Sequence, residues 1–250
     1  MLNSNLSFQL YSARNTPLPE ALEIVAQAGY RTVEAYSDNF SDLAAFQRGL
    51  KQNNLRVSSI HIGRDDLKNN MISTLELASE LEANLIVCPY LLPEDRPSDQ
   101  AGWIALAEEL SDYNSQITST GRDFAWHNHD FEFQRTQDGA LPIRLLLDNA
   151  PGMQWEIDLG WIQRASQDPA SWLRTYLDRV SAVHIKDVAM SGESDDEDGW
   201  ADVGYGVIEW SDILPELKRC EAEIFVVEHD NPSDLKRFAE RSFKTVNGWV

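Results

Sequence analysis

The chain has 250 residues, 42% of them hydrophobic, and a formal net charge of -20 at pH 7. This length is enough for one large core and matches the usual size of a single eight-stranded α/β barrel. The negative charge repels polyphosphates and anionic lipids, which argues against nucleic acid or a membrane as a partner. Residues 1–10 have no signal-peptide pattern and no run of eighteen apolar residues occurs. We therefore expect a cytoplasmic protein.

Short apolar runs recur along the chain at the spacing of strand–helix units. They cover residues 7–11, 32–36, 57–62, 84–90, 124–129, 153–158, 180–185 and 223–228. Helical periodicity lies between them, at residues 18–30, 41–52, 71–81, 102–119, 168–177, 210–219 and 233–246. This alternation predicts an α/β fold, a (β/α)8 TIM barrel that forms a single domain over residues 1–250. The alternative is an open doubly wound sheet, but its glycine-rich nucleotide motif is absent after the first strand.

The histidines all lie at or just past the carboxyl end of a predicted strand: His61, His127, His129, His184 and His229. One rim of a parallel barrel would gather such side chains, with nearby acids, into a metal or acid/base site. Burying so many ionisable groups without compensation is costly, and a cation offsets that cost. The predicted ligands of a divalent ion (Mn²⁺, Mg²⁺, Co²⁺ or Zn²⁺) are Asp158, His184 and Glu228, with His127 or a neighbour as the fourth.

Other residues allow two interpretations each. Gln9 and Glu34 end earlier strands, where substrate contact and structural hydrogen bonding explain them equally well. The acidic segment 191–200 is typical of a solvated loop or of a lid over the site. Aromatic residues near the strand ends could stack on a sugar, although at least two of them are expected in the core: Trp126, Phe131, Trp155 and Trp161.

Six sequence strings are spread along the chain almost from end to end, in a specific order and spacing: FQLYSAR, HNHDFEF, EIDLGW, HIKD, VGYGVIEW and VEHD. In these strings the chain resembles the xylose isomerase-like sugar phosphate isomerase/epimerase superfamily of TIM barrels. The resemblance implies that Asp158, His184 and Glu228 bind a divalent metal. Family members usually place a glutamate, both ligand and base, where His127 stands here. A metal-bound imidazole cannot act freely as a second base, which argues against a symmetric two-base epimerase.

The resemblance implies a metal-dependent sugar or sugar phosphate isomerase/epimerase that removes a proton next to a carbonyl through a metal-stabilised enediolate. The expected catalytic residues are Glu228, Glu156 and His129. The expected substrate-binding residues are Gln9, Glu34, His61, Trp161, Lys186 and His229.

Three alternatives stay open. A 3-keto-glycoside lyase or keto-sugar dehydratase would use the same site, with His129 or His229 protonating the leaving group. A barrel that binds a sugar without turnover is the second. A DNA-repair endonuclease is the weakest, because the chain lacks a basic footprint. The sequence does not identify the exact substrate or the oligomeric state, and a homo-oligomer stays open.

Overall fold

Eight parallel strands close into a barrel in the computed structural model, which describes residues 6–249. The barrel strands are β1 (Leu6–Gln9), β2 (Thr32–Ala35), β3 (Arg56–His61), β4 (Leu85–Cys88), β5 (Asp123–His127), β6 (Gln154–Asp158), β7 (Val180–Ile185) and β10 (Ile224–Val227). Two short strands, β8 (Asp187–Val188) and β9 (Trp200–Ala201), form an antiparallel ribbon after β7. The parallel pairing of β1 with β10 closes the barrel. The TIM barrel predicted from the alternation is confirmed.

Helices connect the strands on the outside. They are α1 (Leu18–Ala28), α2 (Leu43–Gln52), α3 (Arg64–Asn69), α4 (Met71–Glu80), α5 (Gln100–Thr118), α6 (Pro142–Asn149), α7 (Leu159–Arg164), α8 (Pro169–Thr175), α9 (Trp210–Leu217) and α10 (Leu235–Asn247). The sequence pattern misses α3, α6 and α7, which span eight residues or fewer, although it predicts the equally short α8 and α9. A period of 3.6 is a weak signal over so few positions. Between residues 6 and 249, no helix is long and apolar enough to cross a membrane.

The two faces of the strands have different roles. Outward residues such as Trp126 and Trp155 are fully buried under the helices, so both tryptophans belong to the core. The barrel interior holds a small apolar cluster formed by Leu85, Val87, Ala125 and Ala182. Other inward positions carry buried polar groups, which need partners because burying them unpaired is costly. The outward side chains therefore form an apolar layer under the helices, whereas the inward side chains form a small apolar cluster and a buried polar cluster inside the barrel.

The loop after β7 is fixed by one buried carboxylate, Asp187. Its oxygens accept hydrogen bonds from the backbone N–H groups of Val188, Gly204 and Ile208 and from the indole of Trp210. A Cβ atom at Gly206 would lie 2.2 Å from Asp187 Oδ1, so only glycine fits where the loop closes around this carboxylate. The glycines of VGYGVIEW thus serve the turn.

Candidate metal centre

Four buried ligand atoms meet at the carboxyl rim of the barrel, all within 4.8 Å of one another. They come from the four residues that the sequence predicts as ligands, and we call them the upper site: His127, Asp158, His184 and Glu228. Asp158 Oδ2 lies 3.7 Å from His184 Nδ1 and 3.9 Å from His127 Nε2. Glu228 Oε2 lies 3.0 Å from His184 Nδ1. The ends of four consecutive barrel strands thus bring these side chains together.

The local structure around Asp158 fixes this carboxylate. Its Oδ1 caps helix α7 by accepting the backbone N–H of Trp161 at 2.8 Å, and Asn128 Oδ1 accepts the backbone N–H of Asp158 at 3.0 Å. Asp158 Oδ2 is buried and has no hydrogen-bond partner. A buried carboxylate oxygen without a donor is costly, and a cation would satisfy it. Two imidazoles and two carboxylates suit a borderline divalent ion, so the residues fit a metal.

A second polar cluster lies beside the upper site inside the barrel. We call it the deep layer: Glu34, His61 and Glu156, with the remaining ring nitrogens of His127 and His184. His184 Nε2 lies 2.7 Å from Glu34 Oε1 and 3.2 Å from Glu156 Oε2. His61 Nε2 lies 2.8 Å from Glu156 Oε2, and His127 Nδ1 lies 3.1 Å from the same oxygen. The two carboxylates are fully buried.

The deep layer changes the interpretation of Gln9 and Glu34. Both side chains are fully buried, and Gln9 Nε2 donates a hydrogen bond to Glu34 Oε1 at 2.8 Å. Ser59 Oγ donates to the other oxygen of Glu34. These contacts favour structural hydrogen bonding, the second of the two explanations that the sequence allows, over substrate contact. Glu156 is likewise too deeply buried to meet a substrate at the rim.

Charge pairing sets the protonation of these groups. Burial would lower the pKa of His61, but the carboxylates of Glu34 and Glu156 raise it to about 10. Burial would raise the pKa of Glu228, but Lys186 and His184 hold it well below its ordinary value. The rim carboxylate is therefore ionised near neutral pH, as a metal ligand or a base must be.

Lys186 links the upper site to one further carboxylate, Asp230. The fully buried Nζ of Lys186 donates to Glu228 Oε2 at 3.1 Å and to Asp230 Oδ1, and it lies 4.8 Å from the ring centre of Trp161. A Cβ at Gly160 would lie 2.9 Å from the Lys186 side chain, so glycine makes room for it. Asp230 was not predicted from the sequence, because it lies three residues beyond the end of β10 at Val227.

His129 lies in an aromatic wall and not among the ligands. Strand β5 ends at His127, so the shared strand face expected for the two histidines does not extend to His129. The His129 ring centre lies 4.9 Å from Tyr90, 4.9 Å from Trp161 and 5.0 Å from His127. Burial, followed by the charges of His127 and Lys186, holds the pKa of His129 well below its ordinary value. A neutral imidazole is a poor general acid, so this placement does not favour the acid role expected for His129.

His229 is directed away from the site, which corrects its expected role in substrate binding or protonation. Its ring packs 5.1 Å from Phe238 of α10, and its Nδ1 accepts the backbone N–H of Asn231. Burial lowers the pKa of His229 to about 3. The physical reason is that β10 ends at Val227, and beyond it the chain places the His229 ring against α10.

Two buried polar residues position the HNHDFEF segment, and neither role was predicted from the sequence. Asn128 Oδ1 also accepts the indole N–H of Trp155 at 2.9 Å. Glu132 accepts the indole N–H of Trp126 at 3.0 Å and the backbone N–H of His129 at 2.9 Å. Both tryptophans lie outside the barrel wall, so these bonds fix the segment that follows β5. The sequence does contain a signal for Asn128: it is a polar residue next to the inward-facing His127, on the side expected to face the helices, where a buried polar group needs a hydrogen-bond partner.

A TIM barrel with a carboxylate–imidazole cluster at its carboxyl rim defines the class of protein. The model of the xylose isomerase-like TIM barrel family matches residues 22–246. The chain therefore belongs to the xylose isomerase-like TIM barrel family, whose members are mostly enzymes. No protein of curated function matches it in sequence.

Solved structures share the fold at low sequence identity. A sugar phosphate isomerase/epimerase from Parabacteroides distasonis has a TM-score of 0.78 and 20% identity over 96% of this chain and 92% of that one. The probable 3-DHS dehydratase AsbF of Bacillus anthracis has a TM-score of 0.74 and 14% identity, covering 97% and 98%. An IOLI protein with a binding zinc atom has a TM-score of 0.69 and 17% identity, covering 98% and 96%. The barrel thus occurs in proteins described as isomerases and as a dehydratase.

Proposed function

We propose that this protein is a metal-dependent isomerase or epimerase of a small sugar, sugar phosphate or keto-sugar. The observation that carries the proposal is the convergence of two imidazoles and two carboxylates at the barrel rim. When bound, a divalent ion supplies a Lewis acid that polarises a carbonyl or hydroxyl oxygen of the substrate. Family membership and the likeness to a sugar phosphate isomerase/epimerase support the same class.

Glu228 is the proposed base that removes a proton from the carbon next to the carbonyl. The ammonium group of Lys186, 3.1 Å from Glu228 Oε2, favours its ionised form and holds it in place. Lys186 is fully buried and so acts by positioning Glu228 and Asp230. Trp161 and His129 are half-buried beside the site, and their rings can pack against the apolar face of a sugar.

A lyase or dehydratase is the second candidate, and the Lys186–Asp230 pair favours it. Elimination needs a group that delivers a proton to the departing oxygen, in addition to the base. Asp230 lies beside Glu228, is joined to it through Lys186, and keeps 20% of its side chain exposed. Burial raises the pKa of Asp230, which favours the protonated form that this role needs, so Asp230 is better placed for it than His129 or His229. The likeness to a probable dehydratase supports the same reaction class.

Metal analysis followed by NMR in D₂O tests the proposal. The purified protein, loaded with Mn²⁺ or Co²⁺, is incubated with a panel of ketoses, their phosphates and 3-keto-glycosides. Isomerisation or epimerisation incorporates deuterium at the carbon next to the carbonyl, whereas elimination gives an unsaturated product. We expect deuterium incorporation into at least one ketose or ketose phosphate, with loss of the reaction after chelation. A protein that binds sugars without exchange at any metal load would contradict the proposal.

A further inference from the structure

The deep layer presents ligand atoms that the upper site does not use. His61 Nε2 and Glu156 Oε2 lie within 4.8 Å of the deep ring nitrogens of His127 and His184, and all four side chains are buried. Glu34 Oε1 joins them at 3.0 Å from His61 Nε2. The two shared imidazoles are turned so that each presents one nitrogen to each cluster. His127 offers Nε2 to Asp158 and Nδ1 to Glu156, and His184 offers Nδ1 to Glu228 and Nε2 to Glu34.

Hydrogen bonds within the cluster satisfy only part of it. Glu156 Oε2 lies within 3.2 Å of three ring nitrogens, whereas Glu156 Oε1 has no hydrogen-bond partner. His127 Nδ1 also has no hydrogen-bond partner, although Glu156 Oε2 is 3.1 Å away. His127 is 3% exposed and Glu156 is not exposed at all. A buried ring nitrogen without a hydrogen bond is costly, and a cation between His127 Nδ1 and Glu156 Oε2 would satisfy it.

We propose that the deep layer is a second binding site for a divalent cation, with His61, His127, Glu156 and His184 as ligands. Glu156 Oε2 lies 2.8, 3.1 and 3.2 Å from the facing ring nitrogens of His61, His127 and His184. A tetrahedral shell with bonds of about 2.0–2.1 Å has edges of roughly 3.3 Å, so small shifts suffice. Zn²⁺ and Co²⁺ accept such four-coordinate nitrogen and oxygen sets, whereas Mg²⁺ demands an octahedral oxygen shell.

The shared imidazoles make the two positions alternatives for one ion. A neutral imidazole has one lone pair, so His184 serves the upper site through Nδ1 or the deep layer through Nε2. An ion in the deep layer is surrounded by side chains that are nearly or fully buried. Such an ion cannot reach a substrate at the rim. That it is withheld from the substrate rests on the proposed function of the upper site.

Cobalt binding to upper-site variants tests the deep layer without reference to activity. Asp158→Asn/Glu228→Gln removes both upper carboxylates at constant size. We expect this variant to bind one equivalent of Co²⁺ with the strong visible absorption of four-coordinate cobalt. Adding His61→Gln should abolish binding, because His61 offers no atom to the upper site. Adding His129→Gln is the matched control and should leave binding intact, because His129 belongs to neither cluster.

Two results would overturn the proposal. One is a folded double variant, by circular dichroism, that binds no Co²⁺; the other is Co²⁺ binding that survives His61→Gln. If the double variant does not fold, Asp158→Ala/Glu228→Ala, which removes the same two carboxylates, is measured with the same additions and the same criteria. Because the readout is binding, inactivity towards every sugar would contradict the proposed function and leave the deep site standing.

Discussion

Asp158 Oδ2 and His184 Nδ1 lie 3.7 Å apart on residues that are in register across β6 and β7. This separation is too long for a direct hydrogen bond and fits two atoms that bind the same ion. Since Asp158 Oδ2 has no hydrogen-bond partner, the pair is the structural centre of the upper site.

Asp158→Asn should therefore lower the affinity for Mn²⁺ by about a hundredfold or more. Removing a direct ligand costs more metal affinity than removing a residue that only hydrogen-bonds to a ligand. Isothermal titration calorimetry on the metal-free protein measures this change. Asp168→Asn is the matched control, because Asp168 caps α8 by accepting the backbone N–H of Ala170 and belongs to neither ligand cluster. Unchanged Mn²⁺ affinity in Asp158→Asn would show that the ion is not held at the upper site.

The alternation of strands and helices was sufficient to predict the barrel, because eight buried runs at unit spacing leave few other topologies. The same alternation places Asp158, His184 and Glu228 together, since the carboxyl ends of parallel strands share one rim. The fold and the composition of the upper site were therefore accessible from sequence.

The roles of single side chains were less accessible. Glu34 and Glu156 end up paired with imidazoles from other strands, and such partners depend on strand register, tilt and rotamers. His129 was assigned a strand face that ends two residues earlier, since strand ends cannot be read to one residue. His229 and Asp230 likewise lie beyond the end of β10 at Val227, so strand parity could not assign their sides.

Glu228→Gln should reduce kcat by at least about a hundredfold at saturating metal, because the variant lacks the base and one charge at the reacting carbon. Steady-state kinetics on the substrate found by NMR provides the measurement. Far-UV circular dichroism must stay native, and metal content is measured in parallel. Near-normal turnover would place the base elsewhere, with Asp230 as the next candidate at the rim.

The reaction type depends on the residue at position 127. With an imidazole there, Glu228 is the proposed base on one face of the substrate, so we expect isomerisation or elimination in preference to C3 epimerisation. His127→Glu should keep the metal and gain C3 epimerisation of ketoses, measured by NMR in D₂O. Efficient C3 epimerisation by the native protein would contradict this expectation. It would point to Asp230 as a second base, because Glu132 and Glu156 are fully buried.

Glu197 connects the acidic loop to helix α10. Its carboxylate accepts hydrogen bonds from the backbone and hydroxyl of Ser233 and from the guanidinium of Arg237. Burial would raise the pKa of Glu197, but these bonds lower it to about 2. The loop is thus anchored at this residue in the structure.

Because the folded-state pKa lies below the ordinary value of about 4.3, the stabilisation is present above that pH and is lost as the pH falls towards 2. Glu197→Gln should lower the free energy of unfolding by about 1–2 kcal/mol at pH 7, as expected for lost bonds to a charged group. The difference from the native chain should shrink between pH 4 and pH 2.5. Urea denaturation across this range checks it, with Glu193→Gln, an exposed residue of the same loop, as control. An effect that stays constant with pH would exclude this ionisation as its cause.

The most direct test of the upper site is anomalous diffraction from crystals of the native protein grown with Mn²⁺. The account predicts one anomalous peak about 2.0–2.3 Å from Asp158 Oδ2, His184 Nδ1, Glu228 Oε2 and His127 Nε2. A Mn²⁺ peak located elsewhere in the molecule, or a map without any peak at saturating Mn²⁺, would contradict the assignment of the rim cluster as the metal centre.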